Sequence, residues 1–168
     1  MRLTVLHEPL YGLKGRMRIL EDARDRPDLF VWYGTAPNLD LQSWQWRRGL
    51  KLPRDLLLLW ERTGGGDIFE TETLIGPAPD PEWADSFDDV NEWYRKSGLP
   101  HGFAIFHIGR CLSAIRLSDG KYTILEENSN RILREYETLD EWYEHELRDE
   151  YADAYGLSGG TIETDDET

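Results

Sequence analysis

The stretch GFAIFHIGRCLSAIRLSDGKYTILE, residues 102–126, decides the fold. It holds three β-rich runs, Gly102 to Ile108, Cys111 to Leu117 and Lys121 to Glu126, the last two joined by Ser118-Asp119-Gly120. Asp-Gly between β-rich runs is a strong short-range hairpin signal, so the centre of the chain reads as an antiparallel meander. Arg131 to Arg134 extends it by a short strand. Downstream, Thr138 followed by Glu141 opens a helix over about 138–155, with Leu139, Trp142, Tyr143, Leu147, Tyr151 and Tyr155 on one stripe. Upstream, Ser86 and Asp89 stand in capping-box positions for a helix over about 86–97, which Gly98 ends, with Phe87, Val90, Trp93 and Tyr94 as its apolar face.

Further upstream, LPRDLLLLWERTGGG (52–66) predicts a helix over 53–63. Pro53 suits a first helical turn, and the glycines suit the exit. Leu52, Leu56, Leu59, Trp60 and Thr63 form its buried stripe. Asp67 to Ile75 alternates as one strand that Gly76 and Pro77 terminate. Residues 1–47 read as an irregular or β-rich extension packed on the domain, with apolar runs at Leu3–Leu6, Met17–Leu20 and Leu29–Tyr33; Met17 to Asp25 equally suits a helix. Residues 48–155 form the main domain and 156–168 an acidic flexible tail. Strands bracketed by helices define an α+β domain, an antiparallel sheet with helices packed on one face.

The 168 residues, 39% hydrophobic and 31% charged, suffice for one core without staples. Cys111 is the single cysteine, which excludes an internal disulfide and a multi-cysteine metal site. No apolar run approaches a membrane span of ~20 residues. The opening residues lack the order of a secretory signal, so a cytoplasmic chain with no membrane partner is expected.

The formal charge of −14 is unevenly spread: residues 1–62 carry +3, 63–94 carry −9, 95–134 carry +4 and 135–168 carry −12. Two such acidic blocks repel phosphates, so direct nucleic-acid binding is disfavoured and a basic protein partner is favoured. Within the blocks, Asp85, Asp88, Asp89 and Glu92 are spaced i, i+3, i+4, i+7, and so are Glu137, Asp140, Glu141 and Glu144. Each row lies opposite an aromatic stripe, with no Lys or Arg expected on it to relieve the repulsion. The eight are candidate partner-binding residues. They equally suit solvated faces, since most lie near helix N-termini where acids favour the dipole.

Catalytic alternatives are weaker. Acid–base carboxylate pairs need two contrasting environments across a cleft, which same-face rows do not offer. Core packing accounts for Trp60, Trp93 and Trp142; Trp44 and Trp46 are either a binding surface or a cover for the sheet. Cys111 near His107 lacks a hydrolase signature and reads as structural. His145, with Glu141 and Asp149 a turn away on either side, has too few ligands for a metal. Gly64-Gly65-Gly66 lacks the Lys of a phosphate-binding loop. No catalytic residue, metal or cofactor is expected.

The stretch from about Leu50 to Leu147 resembles the SUKH superfamily, bacterial immunity proteins together with a yeast cell-wall-synthesis regulator. The resemblance rests on LPRDLLLLWERTGGG (52–66), on IFHIGR (105–110) with the hairpin CLSAIRLSDGKYTILEEN, and on TLDEWYEHEL (138–147), in that order. Thr63 stands where the family often has Asn. The resemblance implies an α+β fold, no catalytic residues, and an immunity protein that neutralises a cognate toxin domain of nuclease or deaminase type; a monomer or weak dimer is expected. The alternative is a regulatory or scaffold module of the same fold with no toxin partner.

Overall fold

The structure, a computed structural model, describes residues 16–157. In chain order its elements are α1 (Arg18–Asp25), β1 (Phe30–Trp32), α2 (Leu41–Arg47), α3 (Arg54–Thr63), β2 (Gly66–Ile68), β3 (Glu72–Leu74), α4 (Phe87–Lys96), β4 (Phe103–Ile108), β5 (Leu112–Arg116), β6 (Lys121–Leu125) and β7 (Ile132–Tyr136). The C-terminal helix follows in three parts: α5 (Leu139–Trp142), a π-helical stretch (Tyr143–Arg148) and α6 (Asp149–Tyr155). Among the described residues the seven strands form one antiparallel sheet in sequence order, so the fold class is α+β.

The α3 stripe is buried as its spacing predicts: Leu52, Leu56, Leu59, Trp60 and Thr63 all lie in the interior. Pro53 occupies the N-cap, and Gly64 closes the helix at φ 73°. A Cβ on Gly64 would lie 2.0 Å from the carbonyl oxygen of Gly34, so both the backbone angle and the close approach require glycine.

The predicted hairpin turns at Asp119-Gly120, in a register that sets Arg116 opposite Lys121 and Leu112 opposite Leu125. Side chains at Ser113, Ile115, Tyr122 and Ile124 share one face, the face met by helices: Tyr122 donates its hydroxyl proton to Asp55 of α3, and Trp142 Nε1 donates to Ser113 Oγ at 3.0 Å. The opposite face carries charges at its outer end, where Glu135 pairs with Arg116 at 3.0 Å and Lys121 at 3.4 Å.

Three expectations are corrected. Asp67 to Ile75 is a hairpin, β2 and β3, rather than one strand; the chain reverses at Phe69 and Glu70, with φ of 51° and 68°. Left-handed φ costs a bulky residue about 1–2 kcal/mol. The offset is the burial of Phe69, whose ring stacks on Tyr151 at 4.8 Å and Tyr155 at 5.7 Å and meets Phe30 edge-on at 5.5 Å. Second, within residues 16–47 the helical alternative for Met17 to Asp25 is the one observed, as α1; the Leu29–Tyr33 run gives β1, which pairs with β2 as an edge of the same sheet, and the unexpected element is α2 with its buried Trp44. The Leu3–Leu6 run and residues 158–168 lie outside the described residues. Third, Trp93 is 62% exposed, and fully buried Asn91 takes its place on the α4 stripe with Phe87 and Val90.

Asn91 shows how α4 is attached. Beyond the short β3 pairing, the outer edge of β4 would leave Ile105 with free backbone groups. The Asn91 side chain supplies them: Oδ1 accepts from Ile105 N at 2.6 Å, and Nδ2 donates to the oxygens of Ile105 at 3.0 Å and Phe87 at 2.9 Å. An unpaired buried backbone group costs about 1–3 kcal/mol. Asn91→Leu is therefore expected to lower stability by about 2–4 kcal/mol in urea unfolding, whereas the same change at exposed Glu92 should cost under about 1 kcal/mol.

Candidate functional site

The two acidic rows lie on separate helices, and the structure pairs more of their members than the sequence spacing suggests. On α4, Asp88 takes a two-pronged contact from Arg48, with Nε to Oδ1 at 2.9 Å, and Glu92 pairs with Lys96 at 3.1 Å. Asp89 Oδ2 accepts from Ser86 Oγ at 2.9 Å, and the Ser86 oxygen caps the Asp89 N–H. Asp85 and Asp89 are exposed and meet no cation among the described residues. In the second row, which runs from just before α5 into the π-helical stretch and is called the α5 row, Glu137 pairs with Lys121 at 3.0 Å and Glu144 with Arg18 at 3.5 Å. Asp140 accepts from the Arg18 N–H at 3.0 Å, and burial pushes its carboxyl above the ordinary range. Glu141 accepts from the Glu137 N–H at 3.0 Å. The expectation of rows without basic neighbours is thus corrected: Arg18, Arg48, Lys96 and Lys121 all reach them. The α5 row is built into the fold, and the α4 row is the more open.

Large apolar side chains stand out beside the open row. Trp93 is 62% exposed one turn after Asp89, Trp83 is 70% exposed just before α4, and Trp46 on α2 is 82% exposed. Trp44, on the other side of α2, is buried edge-on against Trp60 and Phe87 at 5.6 and 5.4 Å.

Between the sheet and the C-terminal helix lies a polar network that spacing alone does not reveal. His107 Nε2 lies 2.6 Å from Glu72 Oε2, and His107 Nδ1 lies 2.9 Å from Ser113 Oγ. The Glu72 carboxylate accepts at Nε2, so Nδ1 accepts the Ser113 hydroxyl proton, and Ser113 Oγ accepts from Trp142 Nε1. Glu72 also accepts from Tyr151 OH at 2.7 Å and from the Arg110 N–H at 3.2 Å. This is the serine, base and acid order of a hydrolytic triad, but all three residues are 0% exposed, so no substrate reaches the hydroxyl in this arrangement. The network's evident role is to anchor the C-terminal helix to the sheet. The sequence signal was a carboxylate at an inward position beside Leu74.

Cys111 is half-buried, 3.7 Å from Ser113 Oγ and 3.8 Å from Glu146 Oε2. Burial, with nearby carboxylates adding to it, pushes the thiol up to about 11. Glu126, at the end of the β6 run, is half-buried and paired with Arg131 at 3.2 Å, so it does not join Cys111 and His107. His145 stacks on Tyr136 and lies 3.5 Å from Asp149. Among the described residues no three His, Cys, Asp or Glu side chains are arranged to hold a metal. An open groove of about 630 Å³ between the start of α3 and the β5–β6 turn is lined by both signs, including Arg54, Asp55, Asp119 and Glu137. No helix among the described residues is long and apolar enough to cross a membrane. No protein-family model matches the sequence, and a search of curated proteins finds no match.

Two measurements check this account. Burial alone would raise the Glu72 carboxyl, but bonds from His107, Tyr151 and the Arg110 N–H outweigh it and hold the group below its ordinary 4.5. A depressed folded value adds stability above the unfolded one and loses it as pH falls through the folded one. Stability should therefore decline below about pH 4.5, and Glu72→Gln should be less stable at pH 7 with a shallower acid slope; an unchanged slope would refute the assignment. Alkylation of Cys111 by iodoacetamide at pH 8 should run at least about tenfold slower than for a free thiol, because little thiolate is present.

Proposed function

We propose that this chain is a non-enzymatic protein-binding domain, an immunity protein of SUKH type that neutralises a basic toxin domain of nuclease or deaminase class through its acidic surface. The reading is carried by one observation: exposed carboxylates, Asp85 and Asp89 above all, stand among exposed tryptophans on and beside α4. Tryptophan is enriched at the anchoring centres of interfaces, and acidic surfaces speed encounter with cationic partners. The resemblance of residues 50–147 to the immunity family supports the same reading. The −9 and −12 blocks oppose phosphate binding and suit a target whose own site is built to hold phosphates.

Such a protein acts by occlusion. A cover of about 800 Å² over a cationic active site excludes the nucleic-acid substrate, and no group of the inhibitor need react. A monomer or weak dimer in the cytoplasm suits that role.

The test is co-expression with a toxin domain encoded beside this chain's gene, with growth as the readout. The wild type is expected to restore growth. Joint replacement of the exposed Asp80, Glu82, Asp85 and Asp89 by Lys should abolish rescue while circular dichroism stays near wild type. Rescue by the folded quadruple variant would overturn the acidic-surface reading. Failure of the wild type to rescue would favour a regulatory module of the same fold.

A further inference from the structure

We propose that the partner's cationic side chain is held on the outward face of α4, between the Trp93 indole and the Asp89 carboxylate, with the α5 row left out of the contact. This deepens the functional reading above and rests on it, since it names the face and the chemistry by which a basic partner is recognised.

The structure contains its own example of the contact. Arg48 lies with its guanidinium carbon 4.3 Å from the centroid of the Trp44 ring while its nitrogens grip Asp88. The ion pair raises the Arg48 pKa. One cation is thus shared between an indole face and a carboxylate, where the ring quadrupole and the anion act together. Asp89 and Trp93 repeat the ingredients on the next strip of the same helix, spaced i and i+4 and therefore one above the other. Here the cation is missing: Asp89 meets none among the described residues, and its Oδ1 accepts no bond there. Trp93 makes a T-shaped ring contact with Tyr94 at 4.9 Å and is otherwise largely in solvent.

Charge decides the occupant. Residues 80–92 hold six acids, Asp80, Glu82, Asp85, Asp88, Asp89 and Glu92, and no base. An apolar or anionic partner would bury these carboxylates unpaired, whereas a segment bearing arginine or lysine pairs them and covers the indole. The α5 row offers neither feature: its carboxylates are held by Lys121, by Arg18 and by backbone N–H groups, and no exposed tryptophan lies on α5.

The probe is a blocked peptide of alternating arginine and glycine, titrated into the full chain at about 0.15 M ionic strength and followed by the ¹⁵N–¹H signals of the tryptophan indoles. The Trp93 signal should shift with the arginine peptide and stay fixed with its neutral citrulline counterpart. Trp93→Ala and Asp89→Asn should each weaken binding about two- to fivefold, the scale of an exposed cation–π contact, and together about tenfold. Glu137→Gln with Glu141→Gln should leave it unchanged. Binding that survives the α4 changes but is lost in the α5 pair would overturn the assignment to α4 while leaving the basic-partner reading intact. Absence of binding to any cationic peptide would overturn both. The exposed α4 positions leave folding undisturbed, which circular dichroism verifies.

Discussion

A carboxylate at the centre of the molecule, Glu72, sets terms that much of the chain obeys. An ionised group out of water must have its oxygens occupied, or the cost runs to several kcal/mol. Its oxygens are met by His107 from β4, Tyr151 from α6 and the N–H of Arg110. Each partner imposes a condition. Gly109 has no side chain because a Cβ there would lie 1.7 Å from Glu72 Oε2. The bulge between Ile105 and His107 turns two successive side chains, Phe106 and His107, toward Trp142, at 4.8 and 5.1 Å, where regular alternation would send one away. The C-terminal helix must then run far enough across the sheet to deliver Trp142 to Ser113 and Tyr151 to Glu72.

That run explains the π-helical stretch. Four of its six residues, Tyr143, Glu146, Leu147 and Arg148, are buried, a wider arc than an α-helical stripe presents. Glu146 reaches Arg134 at 2.6 Å and Tyr136 at 2.6 Å on β7, while Arg148 reaches Asp22 of α1 at 2.8 Å. Extra residues per turn let one segment address both flanks, and π-helical turns of this kind recur where a helix serves more than local packing. An apolar stripe would have bound the sheet as firmly. The polar version fixes register, because a shifted helix would strand both Glu72 and Glu146 without partners.

What could be read in advance was what the chain states locally. Ser86 and Thr138 as caps, Asp119-Gly120 as a turn and the α3 stripe each depend on a few neighbouring residues. The misreadings share a cause, which is that the deciding partner is distant in sequence. Nothing near Phe69 announces a reversal, because the aromatic rings that stabilise it come from residues 143, 151 and 155. On α4 the spacing was informative and composition misled: Phe87, Val90, Asn91 and Tyr94 follow i, i+3, i+4, i+7, while Trp93 falls off that stripe. Preferring the tryptophan to the asparagine put an exposed residue inside and overlooked the side chain that seals β4. The acidic rows were legible as rows, but not their partners, since Arg48 lies 40 residues from Asp88 and Arg18 more than 120 from Glu144.

The acids therefore divide by what they cost and what they do. Glu72, Glu146 and Asp22 are buried and hold the fold together, and their charge is spent on internal donors. Those of α5 tie that helix to α1 and β6. Among the described residues, the segment before and along α4 alone carries exposed carboxylates without cations beside exposed indoles. A surface kept acidic merely for solubility would have no use for large aromatic rings in water, because each exposes apolar area and invites association. The ordered serine–histidine–carboxylate set of Ser113, His107 and Glu72, for its part, is closed within the core. Reactive-looking chemistry inside and sticky, charged chemistry outside fits the proposed reading, in which the protein works by contact.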